Sequence, residues 1–309
     1  MKITRAAAPG KVILFGEHAV VYGQPALAVP VHDLQAQATV REGTPGSGLI
    51  IEARELNLTL SLTEAAEEGL AMAARLVLEK LGVEEPDVRI TIESGIPIAS
   101  GLGSGAAVSA ALARALADYL GHSLEAGELS ALVYEVEKLY HGTPSGIDNT
   151  VICYGQPVFF IRNRAIERFR PGEPFHLLIG DTGVASLTRL TVGRVREGWE
   201  RDPETYEVLF KQIGEIVRQA RQAIERGETR RLGPLMTRNQ ELLRRLDVSS
   251  PELETLIEAA LQAGAEGAKL SGGGGGGNMI ALIRPEQAEH ISEILRRAGA
   301  TRVIHTVVR

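Results

Sequence analysis

Lys11, Glu17, His18, Glu137 and Asp148 are side chains that could move a proton or hold a cation, and the stretch Ile98-Ala-Ser-Gly-Leu-Gly-Ser-Gly-Ala-Ala107 is backbone that could hold an anion. Three glycines within positions 101–105 permit positive φ angles and leave no Cβ atoms in the way of an approaching ligand. Behind them Val108, Ala111, Leu112, Ala115, Leu116 and Tyr119 recur at helical spacing, which predicts a helix with Ser104 as its N-cap. The free N–H groups and positive dipole end of that helix would face the loop, a cradle for polyphosphate oxygens. The glycines also fit the pattern G-x-G-x-x-[GA], but Gly95-Ile-Pro97 separates them from the predicted strand Val88–Glu93, unlike a dinucleotide fold. The Walker lysine of an ordinary P-loop does not follow. A simple helix-capping loop is the bland alternative.

Each titratable group has its own bland alternative. Lys11 opens a predicted buried strand, Lys11–Phe15, where a lysine commonly sits as a solvated edge residue. His18 alone would be structural, yet Glu17 and His18 share a connection that returns through Gly23-Gln-Pro25 to the apolar Ala26–Val29, and connections between buried elements often carry ligand groups. Glu137 falls at the edge of the apolar stripe of a helix predicted to run from the cap Ser123 to Gly142, as a solvated flank or a metal ligand. Asp148 lies in a turn forced by Gly142, Pro144 and Gly146, beside a predicted strand Val151–Tyr154, as a reactive group or a backbone-capping Asx residue. The six glycines 272–277, between Lys269-Leu-Ser271 and a predicted strand Asn278–Ile283, cannot hold a regular element. Inside a domain they read as a close backbone approach to a ligand.

These groups need elements to position them. A length of 309 residues suits two domains, and 44% hydrophobic with 23% charged residues is the composition of a soluble globular protein. The expected location is the cytoplasm: the start shows no signal-peptide pattern, apolar runs are too short for a membrane span, and the single Cys153 excludes an internal disulfide. A net charge of −6 without a basic run argues against nucleic acid as a partner. Pattern predicts strands over Met1–Ala8, Gln35–Arg41, Leu49–Ala53 and Leu56–Leu62, and a helix capped by Thr63 that carries Leu70 to Leu81. Strands over Phe159–Phe169 would close a first domain of residues 1–170. Residues 171–309 would form a second, with a strand over His176–Gly180, helical segments over Ser186–Trp199, Glu204–Glu225, Thr229–Leu246 and Pro251–Ala263, then a helix Pro285–Ala298 and a strand Thr301–Val308.

Three separated motifs together resemble the GHMP kinases. Pro9-Gly-Lys11-Val-Ile-Leu-Phe-Gly16-Glu17-His18-Ala-Val-Val-Tyr-Gly23 is similar to the first motif of that family, and its Ala-Val-Val resembles the members that phosphorylate mevalonate more than those acting on galactose. Pro97–Ala107 resembles the second, ATP-cradling motif, and Lys269-Leu-Ser271 with the glycine run resembles the third. His141-Gly-Thr-Pro-Ser-Gly-Ile-Asp148-Asn149 is similar to the segment around the catalytic aspartate, with Glu137 eleven positions before Asp148 as in the family.

The resemblance implies an α+β fold in which an N-terminal α+β domain and a ferredoxin-like C-terminal domain enclose ATP and substrate. It implies Asp148 as base and Lys11 as the cation that orients and acidifies the acceptor hydroxyl. Glu137 and Ser104 would hold Mg2+, while Glu17, His18, Ser145 and Thr188 would line the pocket for mevalonate. Pro97, Gly101, Leu102, Gly103, Ser104, Gly105 and Ala106, with Ser271, Gly273 and Gly274, would bind ATP. Three positions depart from the pattern: Gly105 replaces a serine that ligates magnesium in the family, and Gly273 and Gly277 replace an alanine and a cysteine. Other acceptors are alternatives, namely phosphomevalonate, homoserine, a sugar or the tertiary hydroxyl of mevalonate. A nucleotide-binding sensor would need only the glycine loops, and the joint presence of Lys11 and Asp148 argues against it. An isologous homodimer is the expected assembly.

Overall fold

The computed structural model describes residues 2–56, 58–63, 65, 68–98, 100–141, 144–186 and 188–309. Contacts group the chain into two compact units, one of Met1–Gly10, Leu34–Ile98 and Gly103–Gly155, the other of Lys11–Asp33, Ala99–Leu102 and Gln156–Arg309. Two long strands, β1 (Ile3–Phe15) and β2 (Ala26–Glu42), pass through both. Pro9-Gly10, expected to end a first short strand, lies inside β1, and β2 likewise runs unbroken through Pro30. The sequence from Ala8 to Phe15 is buried throughout, so burial overrides the local turn preference of Pro-Gly.

In the first unit β5 (Val88–Ser94) pairs antiparallel with residues 36–42 of β2 and parallel with β3 (Leu49–Ala53), which pairs antiparallel with β4 (Leu58–Ser61). Helix α1 (Gly69–Leu81) starts at Gly69 and not after Thr63; ahead of it Ala65 N donates to Ser61 O and Glu68 N to Ala65 O. Gly82 ends it in the left-handed conformation, as its position predicts. Helix α2 (Ser104–Tyr119) packs on β5 through an alanine-rich face. Helix α3 (Ala126–His141) begins after Glu125, whose N–H donates to the Glu128 carboxylate at 3.1 Å, so the cap is not at Ser123. The chain over Ile147–Tyr154 is a helix, α4, where a strand was expected. A short apolar run has no period of its own to tell the two apart, and here the Thr150 hydroxyl donates to Gly146 O at 2.6 Å across the first turn.

In the second unit β6 (Val158–Phe160) pairs with Ala26–Ala28 of β2 and with β7 (Glu167–Arg168). A four-stranded antiparallel sheet follows in the order β11-β8-β10-β9, from β8 (Phe175–Asp181), β9 (Gly267–Ser271), β10 (Asn278–Ile283) and β11 (Arg302–Val308). With α5 (Thr188–Arg201), α6 (Pro203–Glu225), α7 (Leu232–Arg245) and α8 (Pro251–Gln262) between β8 and β9, and α9 (Ala288–Arg297) between β10 and β11, this is the ferredoxin-like order. Asp202 and Ser250 cap α6 and α8. α7 packs on β9 and so borders the strand that leads into the glycine run. Among the described residues no helix is long and apolar enough to cross a membrane.

Candidate active site

All three motif regions contribute to one cluster in the second unit. Lys11, 3% exposed, donates its backbone N–H to Leu102 O at 3.0 Å. Gly16, at φ 101°, must be glycine, since a Cβ there would lie 2.5 Å from Pro25 O. The next turn carries Glu17 and His18, both buried. His18 has φ 60°, which a non-glycine residue holds only when its surroundings impose it. Its Nε2 is 2.9 Å from Gly273 O. A carbonyl only accepts, so Nε2 carries the proton and Nδ1 is left as an acceptor. Burial lowers the His18 pKa to about 4, against a smaller raising effect of the Gly273 carbonyl, and the ring is neutral at pH 7.

Glu17 forms an ion pair with Lys269 in which neither side chain has exposed surface. Burial raises the pKa of Glu17 and lowers that of Lys269, and the attraction between the two opposes both shifts. The second Glu17 oxygen accepts from Asn239 Nδ2 at 3.5 Å, and Lys269 also donates to Leu270 O. Ser271 donates its hydroxyl to Ile13 O at 3.0 Å and accepts from Ile13 N at 3.1 Å. Its only proton is therefore committed to the first motif.

The glycine run is stitched into place by its backbone. Gly275 N donates to Val248 O and Gly277 N to Val184 O, each at 2.8 Å, while Ser186 Oγ donates to Gly274 O at 3.1 Å. A Cβ at Gly274 would lie 2.0 Å from Val248 O, with φ at 73°. A Cβ at Gly273 would lie 2.7 Å from the hydroxyl of Thr188, the first residue of α5. Asn278 donates to Ser100 O, and Ser100 O is 3.0 Å from a Cβ built at Gly277, so Ser100 lies against the run.

The remaining expected residues belong to the first unit. Gly103, at φ 76°, is the N-cap of α2, which corrects the expectation of Ser104; the serine is the first helical residue and donates to Ile96 O at 3.4 Å. Gly105 faces Glu137, whose Oε1 would lie 3.3 Å from a Cβ at that position. Glu137 is a buried carboxylate, 5% exposed, not a solvated flank residue. Asp148 is in the first turn of α4, with Ser145 just before that helix accepting from Ile147 N at 3.4 Å. Asn149 Nδ2 donates to Ser130 O and Oγ at 3.1 and 2.9 Å, tying α4 to the helix that carries Glu137. Pro97 is half-buried and Ala106 buried. Ala99, Gly142 and Thr143 of the expected motifs lie outside the described residues.

Among the described residues no three His, Cys, Asp or Glu side chains converge as a metal cage. Magnesium does not need one, because it takes one or two carboxylates, several waters and substrate phosphates. A buried hard carboxylate beside an open helix N-terminus, as at Glu137 and Gly105, fits that mode. Sequence reasoning gave no role to Lys269 and missed Asn239. A lone lysine inside the otherwise uncharged, fully buried strand Gly267–Ser271 was the available signal.

The family model described as GHMP kinases N terminal domain matches residues 68–156, and the one described as GHMP kinases C terminal matches residues 220–301. The chain is 35% identical over 324 residues to a mevalonate kinase of Pyrococcus furiosus, covering 98% of this chain and 96% of the relative. It superposes on the crystal structure of L. major mevalonate kinase in complex with R-mevalonate with a TM-score of 0.85 at 30% identity, covering 99% and 95% of the two chains. Against the crystal structure of the Methanococcus jannaschii mevalonate kinase the TM-score is 0.87 at 28% identity, covering 99% and 98%.

Proposed function

The chain belongs to the GHMP kinases, a family of ATP-dependent small-molecule kinases, and on that premise we propose that it transfers the γ-phosphoryl group of ATP to the primary, 5-hydroxyl of mevalonate. The observation that carries this reading is a likeness to mevalonate kinases that runs through nearly the whole chain.

In the proposed reaction the acceptor oxygen attacks the γ-phosphorus in line, the bond to the bridging oxygen of ADP breaks, and the hydroxyl proton passes to Asp148. An aspartate is a weak base for an alcohol, so the transfer depends on charge stabilisation as the proton leaves. Lys11 supplies a cation that orients and acidifies the hydroxyl. The backbone of residues 101–106 and of the glycine run holds the phosphates. His18, Ser145 and Thr188 are proposed to bind the acceptor, with the Nδ1 lone pair of neutral His18 as a hydrogen-bond acceptor. Glu137, with the Ser104 hydroxyl as a second donor, is proposed to hold Mg2+, which when bound offsets phosphate charge and aligns the transferring group.

The test is turnover of ATP and magnesium by the purified protein with mevalonate, phosphomevalonate, homoserine and galactose, with the product position read by phosphorus NMR. Selective formation of 5-phosphomevalonate is expected. Turnover of another acceptor, or phosphate on the tertiary hydroxyl, would keep the kinase and discard the acceptor.

A further inference from the structure

The Glu17–Lys269 pair stands out because both ends are spent inside the protein. Glu17 Oε1 accepts from Lys269 and Oε2 from Asn239, and neither charged side chain has exposed surface. A substrate cannot reach that carboxylate without breaking the pair. Buried ion pairs contribute little net stability, because desolvation offsets attraction; what they do impose is geometry, since losing one partner strands a charge.

That geometry falls on the turn from Gly16 to His18. Val20 N donates to Gly16 O at 3.1 Å and Ala19 N to Glu17 O at 2.6 Å, so Glu17 is bonded into the turn by its backbone and anchored by its side chain. His18, the next residue, is held at φ 60° with its ring on Gly273 O. The other end of the anchor is equally fixed. Leu270 N donates to Gln240 Oε1 at 3.0 Å, and Gln240 Nε2 donates in turn to Ser249 Oγ at 2.9 Å and Glu254 Oε1 at 2.8 Å. Asn239 and Gln240, neighbours on α7, thus support the two ends of the same connection.

We infer that Lys269 is a positioning residue: through its buried pair with Glu17 it holds the Gly16–His18 turn so that His18 meets the third glycine loop, and Glu17 itself does not contact the acceptor. The inference rests on the proposed role of His18 at the acceptor and moves Glu17 from the pocket wall to the layer behind it. The uncharged Met isostere at 269 removes the anchor and leaves the strand packed.

The experiment compares Lys269→Met, Glu17→Gln and the double variant, each below its unfolding temperature, by NMR titration of His18 in the ligand-free protein and by steady-state kinetics. The double variant carries no stranded charge and keeps the test open if Lys269→Met fails to fold. Release of the turn exposes the ring, so the His18 titration midpoint moves up from about 4 toward 6.5 in all three. The acceptor KM rises by about tenfold or more, as loss of a positioning contact does, while the ATP KM stays within about twofold. The double variant matches the single ones instead of multiplying their effects. A folded Lys269→Met or double variant with wild-type His18 titration and acceptor KM would overturn the inference, as would an acceptor defect confined to variants of Glu17. The titration needs no substrate, so if wild-type protein phosphorylates none of the acceptors the proposed function fails while the role of Lys269 is still decided.

Discussion

Asp148 and His18 show how surroundings set what a residue can do. Asp148 lies in the first turn of α4 and is the proposed base. An anion is the form a base requires. Asp148→Asn keeps the size and removes the proposed proton acceptor, so kcat is expected to fall by about 10²–10⁴-fold while ATP affinity, measured by equilibrium dialysis, is unchanged. His18 gives a pH prediction whose sign follows from its pKa, lowered from 6.5 to about 4 by burial. Between those values the unfolded chain binds a proton that the folded protein refuses, so stability is lost as pH falls from about 6.5 to about 4. The full effect is about 3 kcal/mol. Glu17, raised by burial, acts in the opposite sense, and the comparison is therefore with His18→Asn, which tolerates positive φ and carries no titrating ring. Urea midpoints at pH 7, 5.5 and 4.5 should fall more steeply for the wild type than for the variant; parallel curves would reject the assignment.

At the scale of elements, the open N-terminus of α2 and the buried Glu137 of α3 form one small device. Gly105 is the second residue of α2, and a side chain there would begin 3.3 Å from Glu137 Oε1. Gly105→Ser should be accommodated, with a gain of about 0.5 kcal/mol from helix propensity. Its hydroxyl adds a donor beside the carboxylate, so the Mg2+ concentration for half-maximal activity should drop severalfold. An unchanged Mg2+ requirement would mean that the Ser104 hydroxyl already supplies that donor. The helices α6 and α8 were legible in the sequence as helical segments, and the structure adds their Asp202 and Ser250 caps. Misread stretches were those where local signals are short or conflict. Val151–Tyr154 is four residues of a helix whose start is set by the left-handed Gly146, and Pro9-Gly10 is carried through β1 by burial. The residues proposed to carry the chemistry were named from their motifs, but the Glu17–Lys269 pair could not be. It joins residues 252 positions apart, and no local pattern encodes that contact.

At the scale of the whole molecule, the second unit is a composite whose later part depends on an early segment. Residues 11–33 bring Val12, Leu14, Phe15, Val20, Leu27 and Val29 into its buried interior, and Tyr22 stacks on Phe210 at 4.1 Å between ring centroids. They also supply Glu17 for Lys269 and both Ile13 backbone partners for Ser271. A fragment of residues 171–309 keeps the four-stranded sheet and α5–α9 yet leaves Lys269 without its counter-ion. Stranding one partner of such a pair costs about 3–5 kcal/mol, a large part of the 5–15 kcal/mol that typically separates folded from unfolded states, before the lost apolar contacts are counted. The fragment alone is therefore expected to give a poorly dispersed amide NMR spectrum. The same fragment with Lys269→Met should be better ordered, since the stranded charge is gone while the apolar loss remains. Equal and well-dispersed spectra from both would mean that sheet and helices fold without the early segment, and that the buried pair serves the site without serving the fold.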